Sequence, residues 1–161
     1  MQARHCYERA SLPRKAASAN AYYLRELARK TPAKGSRQAR LAERDAFLRA
    51  AEAFRDCAVS DTLRNRRTYF WVAGECFERA GDDRQAARAY IDAEEFNDAA
   101  KLYRKAGMFD EAVEVIKMYG CQMLPAVVDS ITDVARLFYF TEQKLECVLL
   151  VSFASLMAYL M

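Results

Sequence analysis

The one histidine of the chain stands beside a cysteine, as His5 and Cys6. A thiol next to an imidazole is the smallest nucleophile–base pair, but it works only when a third group holds the base in place. The flanking MQARHCYERA, at a terminus expected to fray, supplies no such frame. The remaining cysteines, Cys57, Cys76, Cys121 and Cys147, are scattered and no CxxC occurs. A closed zinc site needs four ligands, so none is expected, and five spread thiols suit a reducing compartment better than a disulfide framework. The carboxylates Glu94, Glu95, Asp110 and Glu111 could serve as general acids or bases, yet they fall at expected helix ends, where capping and the helix dipole account for them. Neither GxxxxGK[ST] nor GxGxxG is present, and the five glycines are scattered. No catalytic residue, cofactor or metal is therefore assigned, and the chain is not expected to be an enzyme.

Two clusters could make contacts instead of chemistry. Tyr69, Phe70 and Trp71 follow Arg66 and Arg67, the residue types of a single-strand stacking platform, although half of them must face the core of their own helix. The segment RKTPAKGSRQAR, residues 29–40, carries Arg29, Lys30, Lys34, Arg37 and Arg40 together with Pro32 and Gly35, and reads as an exposed basic loop. Arg44 and Arg49 lie on the helix that follows. Arg37, Arg40 and Arg44 fall at i, i+3 and i+7 and align if that helix starts early enough. Arg37, Arg40, Arg44 and Arg49 are thus the candidate charged contact, for nucleic acid or an acidic partner, against the plainer account of a solvated face. Residues 1–75 hold 16 Lys/Arg against 8 Asp/Glu, while residues 76–161 hold 9 against 14, so the basic character is confined to the first half.

The elements that carry these residues are set by a repeat. In AGDDRQAARAYIDAEEFNDAAKLYRKAGMFDEAVEVI, residues 80–116, one small-small-x-x-large phrase occurs three times with a period of 13. Its columns are Ala86, Ala99 and Ala112, then Ala87, Ala100 and Val113, then Tyr90, Tyr103 and Ile116, with Ala80, Ala93 and Ala106 closing each unit. Thirteen residues fit a helix of about ten residues plus a tight turn. Positions i, i+1, i+4 and i+7 share one stripe, so these columns are the expected repeat core. Gly81 and Gly107 stand where a helix needs a C-terminal residue at positive φ, and Asp82 or Asp83, Asn97 and Asp110 stand where a side chain can cap the next helix. Helices are expected near 83–93, 96–106 and 109–119.

Upstream, CYERASLPRKAASA at 6–19 matches CFERAGDDRQAARA at 76–89 at eight of 14 positions without a gap. Pro13 suits the first turn of the second helix there. Further helices are expected at 38–58, with Leu41, Phe47, Ala51, Phe54 and Val59 inward, and at about 64–80, with Tyr69, Val72, Cys76 and Phe77 inward. Gly74 within the second implies a close helix contact or a mild kink. Pro125 opens a helix with Val128, Ile131, Val134, Ala135 and Phe138 inward, and TEQKLECVLL begins another.

The phrases CFERAGD, AARAY, AAKLYRKAGMFDEAVEVI and DVARLFYF resemble degenerate tetratricopeptide-like α-solenoids over about residues 6–146. More narrowly, they are similar to the helical-repeat region of large tetratricopeptide-and-ankyrin-repeat or UvrD-like helicase proteins. That resemblance implies a scaffold following a helicase-like ATPase core outside this chain, with no ATP-site residue carried onto any position here. Coatomer and intraflagellar-transport solenoids use similar phrases and imply a trafficking adaptor instead.

The expected fold is all-α, an α-solenoid of short stacked helical hairpins forming a right-handed superhelix of about seven to nine helices. Residues 1–146 form the array. Residues 147–161, CVLLVSFASLMAYLM, are 15 without a charge, short of a bilayer span, and read as a closing helix, a tail anchor, or a foreign or truncated end. The expected function is a non-catalytic protein–protein interaction scaffold, a piece of a larger helicase-like protein, with partner unidentified; a nucleic-acid-contacting segment is the alternative, and membrane contact enters only through 147–161. With no apolar N-terminal run and with free thiols, the location expected is intracellular, cytoplasmic or nuclear.

Overall fold

Helix formers dominate the sequence, and helices are what the computed structural model contains. It describes residues 2–9, 12–30, 36–61, 63–142 and 145–160. In chain order these form α1 (Gln2–Arg9), α2 (Pro13–Lys30), α3 (Arg37–Ser60), α4 (Leu63–Arg79), α5 (Asp83–Asp92), α6 (Phe96–Lys105), α7 (Phe109–Tyr119), a 3₁₀ turn (Gly120–Gln122), α8 (Pro125–Thr141) and α9 (Leu145–Leu160). The chain is all-α, a multi-helix globular fold made of two compact units, Met1–Glu94 and Glu95–Met161.

In the first unit each helix packs against its neighbour in sequence, α1 on α2, α2 on α3, α3 on α4 and α4 on α5. Small residues set how close they come: Ala21, Ala28, Ala50, Ala51, Ala58, Ala73, Ala86 and Ala87 are buried, with Phe47, Phe54, Phe70 and Phe77 filling the space beside them. Phe54 lies edge-on to Tyr22 of α2, with ring centroids 5.0 Å apart. Gly74 marks a close approach of α4 to α5, since a Cβ built there would stand 2.8 Å from the Tyr90 ring. Close contact, one of the two reasons considered for that glycine, is what the structure shows.

In the second unit α6 packs on α7, and α9 packs on α7, α8 and the 3₁₀ turn. Val113, Ala135, Tyr139 and Val151 form its core, flanked by Phe109, Phe138, Cys147 and Val148. The Tyr139 hydroxyl donates to the Asp110 carboxylate, and burial followed by that bond drives its ionisation well above the usual phenol range. Phe96 stacks on Tyr119 with centroids 4.0 Å apart.

Turn chemistry explains the helix ends. Gly81 and Gly107 have φ of 76° and 73°, and each closes a helix with paired bonds: Asp82 N–H to Phe77 C=O with Gly81 N–H to Glu78 C=O, and Met108 N–H to Tyr103 C=O with Gly107 N–H to Arg104 C=O. The same column of the middle repeat holds Glu94, which adopts φ 61° without being glycine.

Several expectations are corrected. The 29–40 segment is helical at both ends, because α2 runs to Lys30 and α3 starts at Arg37 behind the Ser36 cap; Pro32, Lys34 and Gly35 lie outside the described residues. Leu41 and Val59 at the two ends of α3 are exposed, as is Val134 on α8, where Thr132 is buried in its place. Only one of the three expected caps forms, Asp82 accepting from Gln85 N–H at 3.1 Å. Asn97 and Asp110 are each the second residue of their helix, and both turn away to α8 or its start: Asn97 accepts from Leu124 N–H at 2.9 Å and Asp110 from Tyr139. The division expected after Glu146 falls inside α9.

Candidate functional site

Ser36 decides the geometry of the basic face. Its backbone is extended, and its Oγ accepts from Ala39 N–H at 3.2 Å, so the helix begins at Arg37. Arg37, Arg40 and Arg44 therefore lie along one side of α3, and all three are exposed. None has a carboxylate within ion-pair reach among the described residues. Arg49 is exposed too, but the helical rotation sets it about 120° to 180° away from the members of that stripe, so it does not join it.

Arg40 and Arg44 continue the side of α3 that lower down carries Phe47, Ala51 and Phe54 into the core. At that junction the Arg79 guanidinium, from the end of α4, lies 5.6 Å over the Phe47 ring. Next to Arg79, one carboxylate serves three guanidiniums. Glu75 is paired with Arg25, with Arg79 at 3.5 Å and with Arg29 at 3.7 Å, and Arg29 also reaches Glu26 at 3.2 Å. The positive character of this end thus exceeds what its acids neutralise. Within Met1–Glu94 there are 19 Lys/Arg and 13 Asp/Glu, a net +6, against 6 and 9 in the second unit.

The helix dipole opposes this arrangement. Among α1 to α4 no first turn contains an acidic residue, whereas α5, α6 and α7 begin with Asp83, Asp98, and Asp110 with Glu111. Cations at an N-terminus cost a few tenths of a kcal/mol to about 1 kcal/mol each. Arg37 and Arg40 bear that cost without an ion pair in return.

The aromatic–basic cluster is built differently. Phe70 is buried under Arg66, whose guanidinium stands 5.5 Å from the ring centroid, and Trp71 is exposed. Arg67 is bound to the end of α5, donating to Ala93 C=O at 2.8 Å and pairing with Glu94 at 3.1 Å. A stacking platform needs its rings and cations free on one face, and here Arg66, Arg67 and Phe70 are used in packing while Trp71 is left exposed.

Of the residues considered for catalysis, His5 and Cys6 are neighbours on α1 and point about 100° apart, and His5 lies 3.3 Å from Glu8. Burial pushes the Cys76 thiol up to about 11, overriding the nearby Arg25, and raises the Cys57 thiol as well. The described residues contain no group of three or more His, Cys, Asp or Glu side chains placed to hold a metal ion. No helix among them is long and apolar enough to cross a membrane.

Comparison with protein-family models, with curated proteins and with solved structures finds no match for this chain. Its own repeat is then the main guide.

All nine repeat-core residues, Ala86, Ala87, Tyr90, Ala99, Ala100, Tyr103, Ala112, Val113 and Ile116, are buried. Ala80 and Ala93 are buried in the closing column and Ala106 is exposed. One column outward, Arg88, Lys101 and Glu114 are all exposed, two cations and one anion. That column could be read from the period of 13. The Glu75 hub could be read only in part: the Glu75–Arg79 spacing of four is visible, while the reach of Arg25 and Arg29 from α2 depends on tertiary packing.

Proposed function

We propose that the chain is a non-catalytic interaction scaffold, a tetratricopeptide-like array whose helices repeat one inner stripe and vary the outer one. The observation that carries this is the 13-residue period, in which the three inner columns are buried while the outer column runs Arg88, Lys101, Glu114. A repeat that keeps its packing and changes its surface is suited to holding a partner along an extended face. The wider setting implied by the sequence resemblance, a segment of a larger helicase-like protein, belongs to the same proposal. The test is affinity capture from cells of the source organism with the wild type and with Lys101→Glu/Glu114→Lys. The variant turns the Lys101–Asp98 and Glu114–Lys117 pairs into like-charge pairs, so it should keep its helical signal, lose about 1 kcal/mol of stability or less, and lose at least one reproducible partner. An identical set of partners from both would overturn the reading.

A second reading is favoured by one observation, the exposed stripe of Arg37, Arg40 and Arg44, which has no ion pair among the described residues. In this reading the stripe holds a nucleic-acid backbone. Three phosphate contacts would make log affinity fall by about 2 to 3 per decade of salt. Replacing all three by Glu should abolish an oligonucleotide shift and, by matching the dipole, leave α3 no less stable. Absence of any shift by the wild type at 50 mM salt would end this reading.

A further inference from the structure

The outer face of α9 repeats, with large residues, the spacing that the repeat units use inward. Leu149, Leu150, Phe153 and Leu156 stand at i, i+1, i+4 and i+7 and are 73%, 53%, 62% and 55% exposed. The opposite side of the same helix carries the contacts to the core: Val151 is buried, and Cys147 and Val148 pack beside it. No charged residue occurs from Cys147 to Met161. An amphipathic helix would place charge opposite its packed face; this one places leucine and phenylalanine there.

The neighbouring helix α8 carries exposed apolar residues too. Arg136 on α8 donates through Nε to Ser152 Oγ at 3.1 Å, which fixes the level at which the two antiparallel helices meet. One turn nearer the 142–144 connection, Phe140 and Leu149 come to the same level, and Leu137 and Phe140 are each 67% exposed. The α9 stripe leaves on the order of 500 Å² of apolar surface in water, and Leu137 and Phe140 add roughly 250 Å², near the ~800 Å² per partner of a stable protein–protein interface.

We propose that this face is the contact between two copies of the chain, formed by α9 against α9 across a two-fold axis near Phe153. Leu149, Phe153 and Leu156 follow the 4-and-3 spacing of a helix–helix seam. In an antiparallel pair centred between residues 152 and 153, Leu149 of one copy meets Leu156 of the other and Phe153 packs beside its counterpart, so the stripe is complementary to itself. With no charge on the face, nothing in it selects a charged partner over a second copy. The α9 stripe alone gives about 1,000 Å² when doubled, the low end for a specific contact, and Leu137 and Phe140 at its edge bring the total into the range of stable interfaces. Self-association of this kind is independent of the scaffold reading and survives its failure.

Sedimentation of the full chain at micromolar concentration tests the proposal. The wild type should be a dimer, and Phe153→Glu should be a monomer of unchanged helical signal, with dissociation at least 100-fold easier. If that variant unfolds, cross-linking decides. In a Cys6→Ser/Cys121→Ser background, Phe153→Cys should form a disulfide-linked dimer on mild oxidation while Arg88→Cys does not. A monomeric wild type, a dimer indifferent to Phe153→Glu, a Phe153→Cys chain that does not link, or a monomer that partitions onto phosphatidylcholine vesicles through this face would each overturn it.

Discussion

At the scale of single residues, Gly74 and Cys76 lie two apart on α4 and show how tightly that helix is built into the first unit. In an isolated helix Gly→Ala gains about 1 kcal/mol. At Gly74 the new methyl would lie 2.8 Å from the buried Tyr90 ring, whose hydroxyl donates to Glu78 at 3.3 Å, so overpacking decides the sign. Gly74→Ala should destabilise by about 1–2 kcal/mol in urea unfolding, and the loss should shrink in a Tyr90→Leu background. Cys76 titrates late because it is buried. The unfolded thiol ionises near 9 and the folded one near 11, so the unfolded state binds fewer protons in that window and stability falls as pH rises through it. Two units correspond to a loss of about 2–3 kcal/mol, complete above pH 11 and absent below about 8.5. Stability profiles of wild type and Cys76→Ala should therefore converge between pH 8.5 and 11; parallel profiles would contradict the assigned burial.

At the scale of elements, the turn between α5 and α6 differs from its two relatives by one residue. Where Gly81 and Gly107 adopt positive φ without a Cβ, Glu94 does so at a cost of about 1 kcal/mol. Its exposed pairing with Arg67 returns less than that. Glu94→Gly should stabilise the chain by about 0.5 kcal/mol in urea unfolding, and a loss of 1 kcal/mol or more would mean that the Arg67 pair matters more than the backbone. These three helices were legible in the sequence to within a residue, because Gly81, Gly107 and the alanine columns punctuate them. Other elements were less so. Arg- and Lys-rich composition made residues 29–40 look like one loop, although both residue types are good helix formers and Ser36 offered a cap. Asn97 and Asp110 had the right type for capping, but α8 supplied better partners, and that choice is made by tertiary contacts which local spacing does not encode.

At the scale of the whole molecule, the period of 13 and the division into compact units run across one another. The first of the three repeat helices, α5, belongs to the unit ending at Glu94, and the second and third to the unit beginning at Glu95. Charge follows the same division, +6 before it and −3 after it. The composition of the halves announced that asymmetry, whereas the place of the boundary did not, because the turn at 93–95 reads like its neighbours. The candidate site was legible to a similar degree. The arginine stripe could be named from spacing, but its lack of acidic partners, and the separation of Arg49 from it, required the helix start at Arg37. Apolar residues 147–161 were visible as a run; that one side of α9 packs on α7 and α8 while the other carries exposed leucines and a phenylalanine was not.

The central claim is that each 13-residue unit is an interchangeable element of one array. Inserting a second copy of residues 82–107, two units and so one hairpin, directly before Met108 tests it, with circular dichroism and urea unfolding as the readouts. Repeat arrays accept whole units because each contacts mainly its neighbours. The account predicts a monodisperse protein whose helical signal rises by about twenty residues' worth and which still unfolds cooperatively with unchanged or higher stability. An insertion that abolishes cooperative unfolding, while the wild type retains it, would contradict the array and the scaffold function drawn from it.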